Sequence, residues 1–254
     1  MVYLKNLQQQ LEERTLPLIT AVPQSWTKSD GSVVTSVDLA IQTEIVRTIE
    51  QQYPSHRILY EEGEPQHLAK KSDFTWVIDP IDGTANFLAG KKEYSIAIGL
   101  MQGNTFIEAL VIFPAYQESF YAGKDQGICC NGHQITPPKP NFDNREIIFC
   151  SRTYPQAQAR IRDYQPTFYR CATYSLLRVL KGEALAFRAA HTMLYDVGPM
   201  AHIVREAGIE CLSGVGCRLS YQPNLNRIPS FLAVSSRTSE ALQYAILEIP
   251  SKSK

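Results

Sequence analysis

Two aspartates three residues apart, Asp79 and Asp82, flank Pro80 in the run Asp79-Pro80-Ile81-Asp82-Gly83-Thr84. Pro80 fixes φ and removes a donor, so this turn is stiff. Such a turn can present both carboxylates, and the Ile81 carbonyl between them, to one point. Hard divalent cations such as Mg²⁺ take oxygen ligands of this kind. Gly83-Thr84 then opens a helix start, where backbone N–H groups could hold a phosphate. Metal-ligating oxygens beside an anion cradle are what metal-assisted phosphoryl transfer requires. An acidic turn with ordinary capping fits less well, because a buried cluster of unpaired carboxylates is costly without a cation. Other carboxylates stand at strand ends or helix starts: Asp38 after Val33-Val34-Thr35, Glu61 and Glu62 after Ile58-Leu59-Tyr60, and Asp196 ahead of a helix. Taken alone, Asp38 or Asp196 reads as an N-cap.

Periodicity predicts the elements that must position these groups. Leu4, Leu7 and Leu11 have helical spacing up to about Leu16, where Pro17 interrupts. After the polar turn Lys28–Ser32, Val33–Val37 reads as extended, and Asp38 as the N-cap of a helix with Ile41, Ile45 and Ile49 on its apolar face. Arg57–Tyr60, ending in Glu61-Glu62-Gly63-Glu64, and Phe74–Ile78 read as strands, the latter with the content of a central one. Tyr94–Met101, Thr105–Phe113 and Glu118–Ala122 follow as further strands. The strongest break is Pro137-Pro138-Lys139-Pro140-Asn141, a stiff connector. Beyond it Ile147–Cys150 and Ala184–Arg188 read as strands, and Tyr174–Lys181 and Val197–Ala207 as helices. We expect one unit over residues 1–254, with an N-terminal α+β lobe (1–136) and a C-terminal α/β lobe (145–254) that both supply acidic groups.

Composition narrows the function classes. The 254 residues are 44% hydrophobic and 20% charged, the balance of a globular chain with a sizeable core. Lys+Arg 25 against Asp+Glu 25 gives no net charge, which argues against a nucleic-acid polymer or an anionic membrane as partner. Met1–Arg14 lacks a signal-like apolar run, and no stretch approaches a membrane span, so a cytoplasmic protein is expected. The six cysteines, Cys129, Cys130, Cys150, Cys171, Cys211 and Cys217, show no zinc spacing and read as reduced, packed thiols. Cys129 and Cys130, beside the turn Asn131-Gly132, could be more exposed. The histidines His56, His67, His133, His191 and His202 also lack metal spacing and read as structural. No nucleotide-binding P-loop, zinc-protease or serine-hydrolase motif is present.

The hexamer Asp79–Thr84, preceded by Trp76 and followed by Asn86-Phe87, resembles the signature of the lithium-sensitive, Mg²⁺-dependent inositol monophosphatase superfamily. Val34–Asp38, Glu61-Glu62, and Asp196 ahead of Glu206-Ala207-Gly208 fall in the family order, so the likeness runs from about residue 28 to 235. It implies a mixed α/β fold, a layered α-β-α-β-α sandwich with the site between lobes, and a homodimer. By position, Glu61, Asp79 and the Ile81 carbonyl resemble the ligands of a first Mg²⁺, and Asp79, Asp82 and Asp196 those of a second. Glu62 resembles a supporting group or part of a third site. Thr84 resembles the residue that orients the attacking water, Asp38 the carboxylate that polarises it, and Gly83 and Thr84 the backbone cradle for phosphate. Asp82 and Asp196 also face the substrate in this reading.

The resemblance implies a phosphomonoesterase acting on a small phosphorylated polyol, foremost inositol monophosphate. Departures bear on the substrate. Tyr195 stands where the family usually has Trp, and Pro199 is expected in the first helical turn. Family members often carry a glutamate seven residues before the late Asp. Here Ala189 stands there and Arg188 precedes it, so Arg188 could meet a second phosphate, as in 3′(2′),5′-bisphosphate nucleotidases. Against this, Thr84-Ala85-Asn86-Phe87 lacks the Lys that nucleotidases often carry after the Thr. Histidinol phosphate and sugar phosphates are further alternatives, and a catalytically weak regulatory binding protein is the non-enzyme one.

Overall fold

In this computed structural model, the described residues are 3–63, 71–139, 141, 143, 145–150, 153–214, 216–217, 219–221, 227–234, 238 and 240–250. Glu64, His67 and Pro140, noted above, lie outside them. The first half runs α1 (Leu4–Thr15), β1 (Ser25–Thr27), β2 (Val33–Thr35), α2 (Ser36–Gln52), β3 (Arg57–Tyr60), β4 (Phe74–Asp82), α3 (Thr84–Leu88), β5 (Ser95–Gln102), β6 (Thr105–Phe113), β7 (Glu118–Gly123), β8 (Ile128–Cys130) and β9 (His133–Ile135). The second runs β10 (Glu146–Phe149), α4 (Tyr154–Arg160), β11 (Gln165–Thr167), α5 (Ala172–Leu180), β12 (Ala186–Met193), α6 (Leu194–Glu206), β13 (Glu210–Ser213), β14 (Arg227–Val234) and α7 (Glu240–Leu247). Among the described residues no helix is long and apolar enough to cross a membrane.

Side-chain alternation along the strands builds the layers. A seven-stranded sheet has the order β3-β4-β5-β6-β7-β8-β9, and a five-stranded sheet the order β11-β10-β12-β14-β13. On β4, Trp76 and Ile78 face α1 and α2 through Leu7, Leu11, Ile41 and Ile45. Val77, between them, faces the opposite core, shared with α5, α6 and the inner side of the second sheet. The outer side of that sheet packs Ile147, Phe149 and Leu232 against Ala157 of α4 and Ile246 of α7. The sum is the α-β-α-β-α sandwich expected from the motif resemblance.

Polar and steric details lock these layers. The buried Glu108 carboxylate on β6 accepts from the N–H groups of Tyr3, Leu4 and Lys5 at 2.7, 2.8 and 3.1 Å, capping α1 across more than a hundred residues. Trp76 Nε1 donates to His56 Nδ1 at 3.1 Å within a ring cluster that includes Tyr53 and Phe74, so His56 is structural. Phe106 is wedged between Gly99 of β5 and Gly198 of α6. A Cβ at those positions would lie 2.4 and 2.6 Å from its ring. Only glycines let α6, which carries Asp196, sit this close to the sheet that carries Asp79.

Several boundaries differ from the sequence reading for local reasons. β4 does not stop at Ile78 but continues through Asp82, with a register shift between Asp79 and Asp82 around the donor-less Pro80. As its composition predicts, it is an interior strand, paired with β3 on one side and β5 on the other. Asp38 is not the N-cap of α2: Thr35 is, and Asp38 is the third helical residue of a capping box. α6 starts at Leu194, so Asp196 lies inside its first turn and Pro199 falls in the second, not the first. β12 extends to Met193, well past Arg188.

The Phe106 wedge yields a stability prediction. Gly99→Ala is expected to cost about 1–3 kcal/mol in urea unfolding, because the ring has no room to retreat toward Gly198. Combining it with Phe106→Leu should recover part of that loss. A double variant whose loss is simply the sum of the two single losses would show that the ring contact is not the cause.

Candidate active site

The end of β4 brings acidic groups from distant segments into one buried place. Asp79 is fully buried, and its Oδ1 has no hydrogen-bond partner among the described residues. Burial first, and then Glu61, Asp82 and Asp196, push its pKa well above the usual carboxylate range. Burial likewise raises Glu61, with Lys28 opposing. Asp82 Oδ2 accepts from the Thr173 N–H and hydroxyl, both at 2.7 Å, and from the Cys171 thiol at 3.2 Å. Asp196 Oδ2 accepts from the Thr192 hydroxyl at 2.8 Å and the Met193 N–H at 2.9 Å. Burial, helped by Asp82, still pushes Asp196 up to about 6.

Lys28, on the β1–β2 hairpin, reaches the next pair of carboxylates. Its Nζ donates to Glu61 Oε1 at 2.9 Å and to the two Glu62 oxygens at 2.8 and 3.0 Å. Burial works against its charge, but Glu61 and Glu62 outweigh it and hold its pKa above the usual lysine range. Glu62 is pushed up to about 7 by burial, with Lys28 opposing. The Gln42 side chain brackets the Glu62 backbone, accepting from its N–H at 3.0 Å and donating to its carbonyl at 2.6 Å.

Thr84 sits at the first position of α3, where a left-handed Gly83 turns the chain. At Gly83, φ is +88° and a Cβ would lie 2.7 Å from the Glu93 carbonyl, so glycine is required. Thr84 Oγ1 is 3.0 Å from Asp38 Oδ1 and 2.9 Å from the Ile81 carbonyl. Asp38 Oδ2 accepts from the Thr35 N–H at 2.9 Å and from the Thr35 hydroxyl. Burial raises the Asp38 pKa against the pull of these donors. With one proton to give, Thr84 can donate to Asp38 and turn a lone pair outward.

A cleft of about 620 Å³ opens beside Asp82 and Asp196, with Ala189, Phe168, Arg170 and His191 on its walls. Arg170 (φ 57°) and His191 (φ 52°) both adopt left-handed backbone, a strained conformation for such residues. Arg188 is not a wall residue of this cleft. Its neighbours Phe187 and Ala189 face the core between the sheets, so strand alternation turns Arg188 to the other side, opposite Leu232. There its Nη1 donates to the Ala189 and Phe231 carbonyls, and its Nε has no partner among the described residues. The substrate-binding role expected for Arg188 is thereby corrected; Arg170 and His191 supply the basic groups at the cleft.

The donor set can be tested for a metal. Among the described residues, no three His, Cys, Asp or Glu groups converge tightly enough to hold an ion as they stand. Lys28 takes one Glu61 oxygen. The chemistry nonetheless fits a hard divalent cation: oxygen donors only, mutually raised carboxylates, and an Asp79 oxygen buried without a partner. Glu61, Asp79, Asp82 and Asp196 lie within electrostatic reach of one another, and Asp38 is joined to Thr84. Sequence reasoning missed Lys28, Thr35, Thr173 and Thr192 as partners of these acids. It also treated Cys171 as packing alone. Thr35 and Thr192 precede their aspartates by three and four residues, a capping spacing that could have been read. Nothing local links Thr173 to Asp82.

Comparison with known proteins identifies the family and the fold. The sequence model of the inositol monophosphatase family matches residues 4–249, and the chain belongs to that family. It is 37% identical over 202 residues to the Nus factor SuhB of Pasteurella multocida, covering 73% of each protein. It is 29% identical over 136 residues to the inositol-1-monophosphatase of Bacillus subtilis, covering 53% of this chain and 51% of that one. The chain spans about half or less of the length of the first curated relatives it matches. Its fold is that of an IMPase/NADP phosphatase solved with Mg²⁺ and phosphate, with TM-score 0.80, 20% identity, and 97% and 92% of the two chains covered.

The crowding at Asp79 predicts an unusual gain. In a metal chelator, Asp79→Asn is expected to raise the melting temperature, since the amide removes one repelling charge and can donate to Glu61. A thermal melt with an equal or lower midpoint would show that these carboxylates do not oppose one another.

Proposed function

We propose that this protein is a metal-dependent phosphomonoesterase that hydrolyses a small phosphorylated metabolite by direct attack of water. The observation that carries the reading is the Thr84–Asp38 hydrogen bond at 3.0 Å beside the acids of β4. Glu61, Asp79 and the Ile81 carbonyl would hold one Mg²⁺, and Asp79, Asp82 and Asp196 a second, with Glu62 in support or at a third. When bound, the cations supply Lewis-acid charge at the phosphoryl group and the leaving oxygen. Thr84, its hydroxyl donating to Asp38, offers a lone pair that accepts a hydrogen bond from the attacking water and orients it. Asp38 keeps that hydroxyl oriented, because Thr35 already occupies its other oxygen. Glu61 aims the water, and the N–H groups of Gly83 and Thr84 hold the phosphate. No covalent intermediate is needed.

Inositol monophosphate is the first substrate to test, supported by the Ala85-Asn86-Phe87 run and by the name of the Bacillus relative. The nucleotidase alternative rested on Arg188, which faces away from the cleft. A second reading, a regulatory binding protein, draws on the Pasteurella relative being named a Nus factor. The retained Thr84–Asp38 pair and acidic set favour hydrolysis.

The deciding measurement is phosphate release from inositol 1-phosphate with Mg²⁺, alongside a panel of sugar, histidinol and nucleotide phosphates. Thr84→Ala is expected to lower kcat by about 10²-fold or more with little change in KM, the cost of losing a proton-handling group. No release from any substrate in the panel would favour the regulatory reading. A defect confined to KM would make Thr84 a binding residue.

A further inference from the structure

Asp82 is gripped by a helix from the other half of the chain, and the grip selects one of its oxygens. Oδ2 accepts three donors: the Thr173 N–H at 2.7 Å, the Thr173 hydroxyl at 2.7 Å and the Cys171 thiol at 3.2 Å. Three donors saturate one carboxylate oxygen, which leaves Oδ1 as the lone-pair source for a cation. Thr173 is itself held. Its Oγ1 lies 2.7 Å from Ser95 Oγ, and both residues have no exposed surface. An ionised Asp82 can only accept, so Thr173 donates to it and Ser95 donates to Thr173. Ser95 is also the register partner of Asp82 on β5. The relay therefore returns to the strand pair it started from, and Asp82 is fixed from two directions.

The position of Thr173 adds to its leverage. It is the second residue of α5, so its free N–H and the helix dipole both point at the carboxylate. α5 packs on α6, the helix that carries Asp196. A shift of α5 would move the support of both acids together.

We propose that Thr173, backed by Ser95, is the positioning residue that holds Asp82 with Oδ1 turned to the metal; this rests on the metal-dependent reading above. The test is Mn²⁺ binding to the 254-residue chain, followed by calorimetry and by loss of the free-ion electron paramagnetic resonance signal. Thr173→Val keeps the shape and the N–H but removes the hydroxyl. It is expected to weaken Mn²⁺ binding roughly 10- to 100-fold, the usual effect of losing a group that orients a ligand. Thr173→Ser should restore most of the affinity, and Ser95→Ala should show a smaller loss of the same sign. Parent-like Mn²⁺ affinity in Thr173→Val, with only a lower melting temperature in chelator, would make the residue merely structural and overturn the inference alone. Should Thr173→Val fail to fold, unchanged affinity in Ser95→Ala overturns it. A parent chain that binds no Mn²⁺ overturns the metal-dependent reading and this inference with it.

Discussion

Burying several carboxylates within reach of one another is the constraint around which the molecule is arranged. Each such ion removed from water costs several kcal/mol unless fixed groups replace its hydration. The compensation follows one pattern at three of the acids. Asp38 is held by Thr35, Asp82 by Thr173 and Asp196 by Thr192, each through a hydroxyl and with a backbone N–H beside it. Asp38 and Asp196 lie in the first turns of α2 and α6, and Asp82, at the end of β4, faces the N-terminus of α5; at each the dipole favours negative charge. Asp79 has no such holder, and Glu61 leans on Lys28. Asp79 faces Glu61, Asp82 and Asp196 together, the place where a cation does most.

The layers exist in a form that serves this cluster. α5 and α6 lie in the core shared by the two sheets and bring their N-termini to the open end of β4, where the Pro80 irregularity loosens the pairing with β5. The separation between α6 and the first sheet is set by Phe106 between two glycines, a steric device. The Glu108 cap fixes the far side of the same sheet by tying α1 to β6. Packing thus sets the spacing of the acids, and hydrogen bonds set their orientation.

Membership of the inositol monophosphatase family defines the fold, and one family fold hosts relatives with different names. Functional inference therefore has to come from the cleft. Its walls include an apolar face at Phe168, Phe187 and Ala189 and a basic edge at Arg170 and His191, beside Asp82 and Asp196. The left-handed backbone at both basic residues is strain of the kind kept where a side chain must be aimed.

Much of this was legible from the sequence. The Asp79–Thr84 run, with Glu61 and Asp196 in order, named the acids that the fold brings near one another, because ligand chemistry restricts residue types and Pro80 restricts the local path. Periodicity likewise determined which faces of α1, α2 and α6 are buried. The orientation of Arg188 was not legible, since it depends on where β12 begins and on a one-residue alternation whose phase the sheet sets. Nor were Lys28 on Glu61 and Thr173 on Asp82, contacts between segments 33 and 91 residues apart with no local pattern to announce them. Sequence by itself determined which acids are available to a site of this kind. Tertiary structure decided which of their oxygens are held, because only packing brings each acid to its donor.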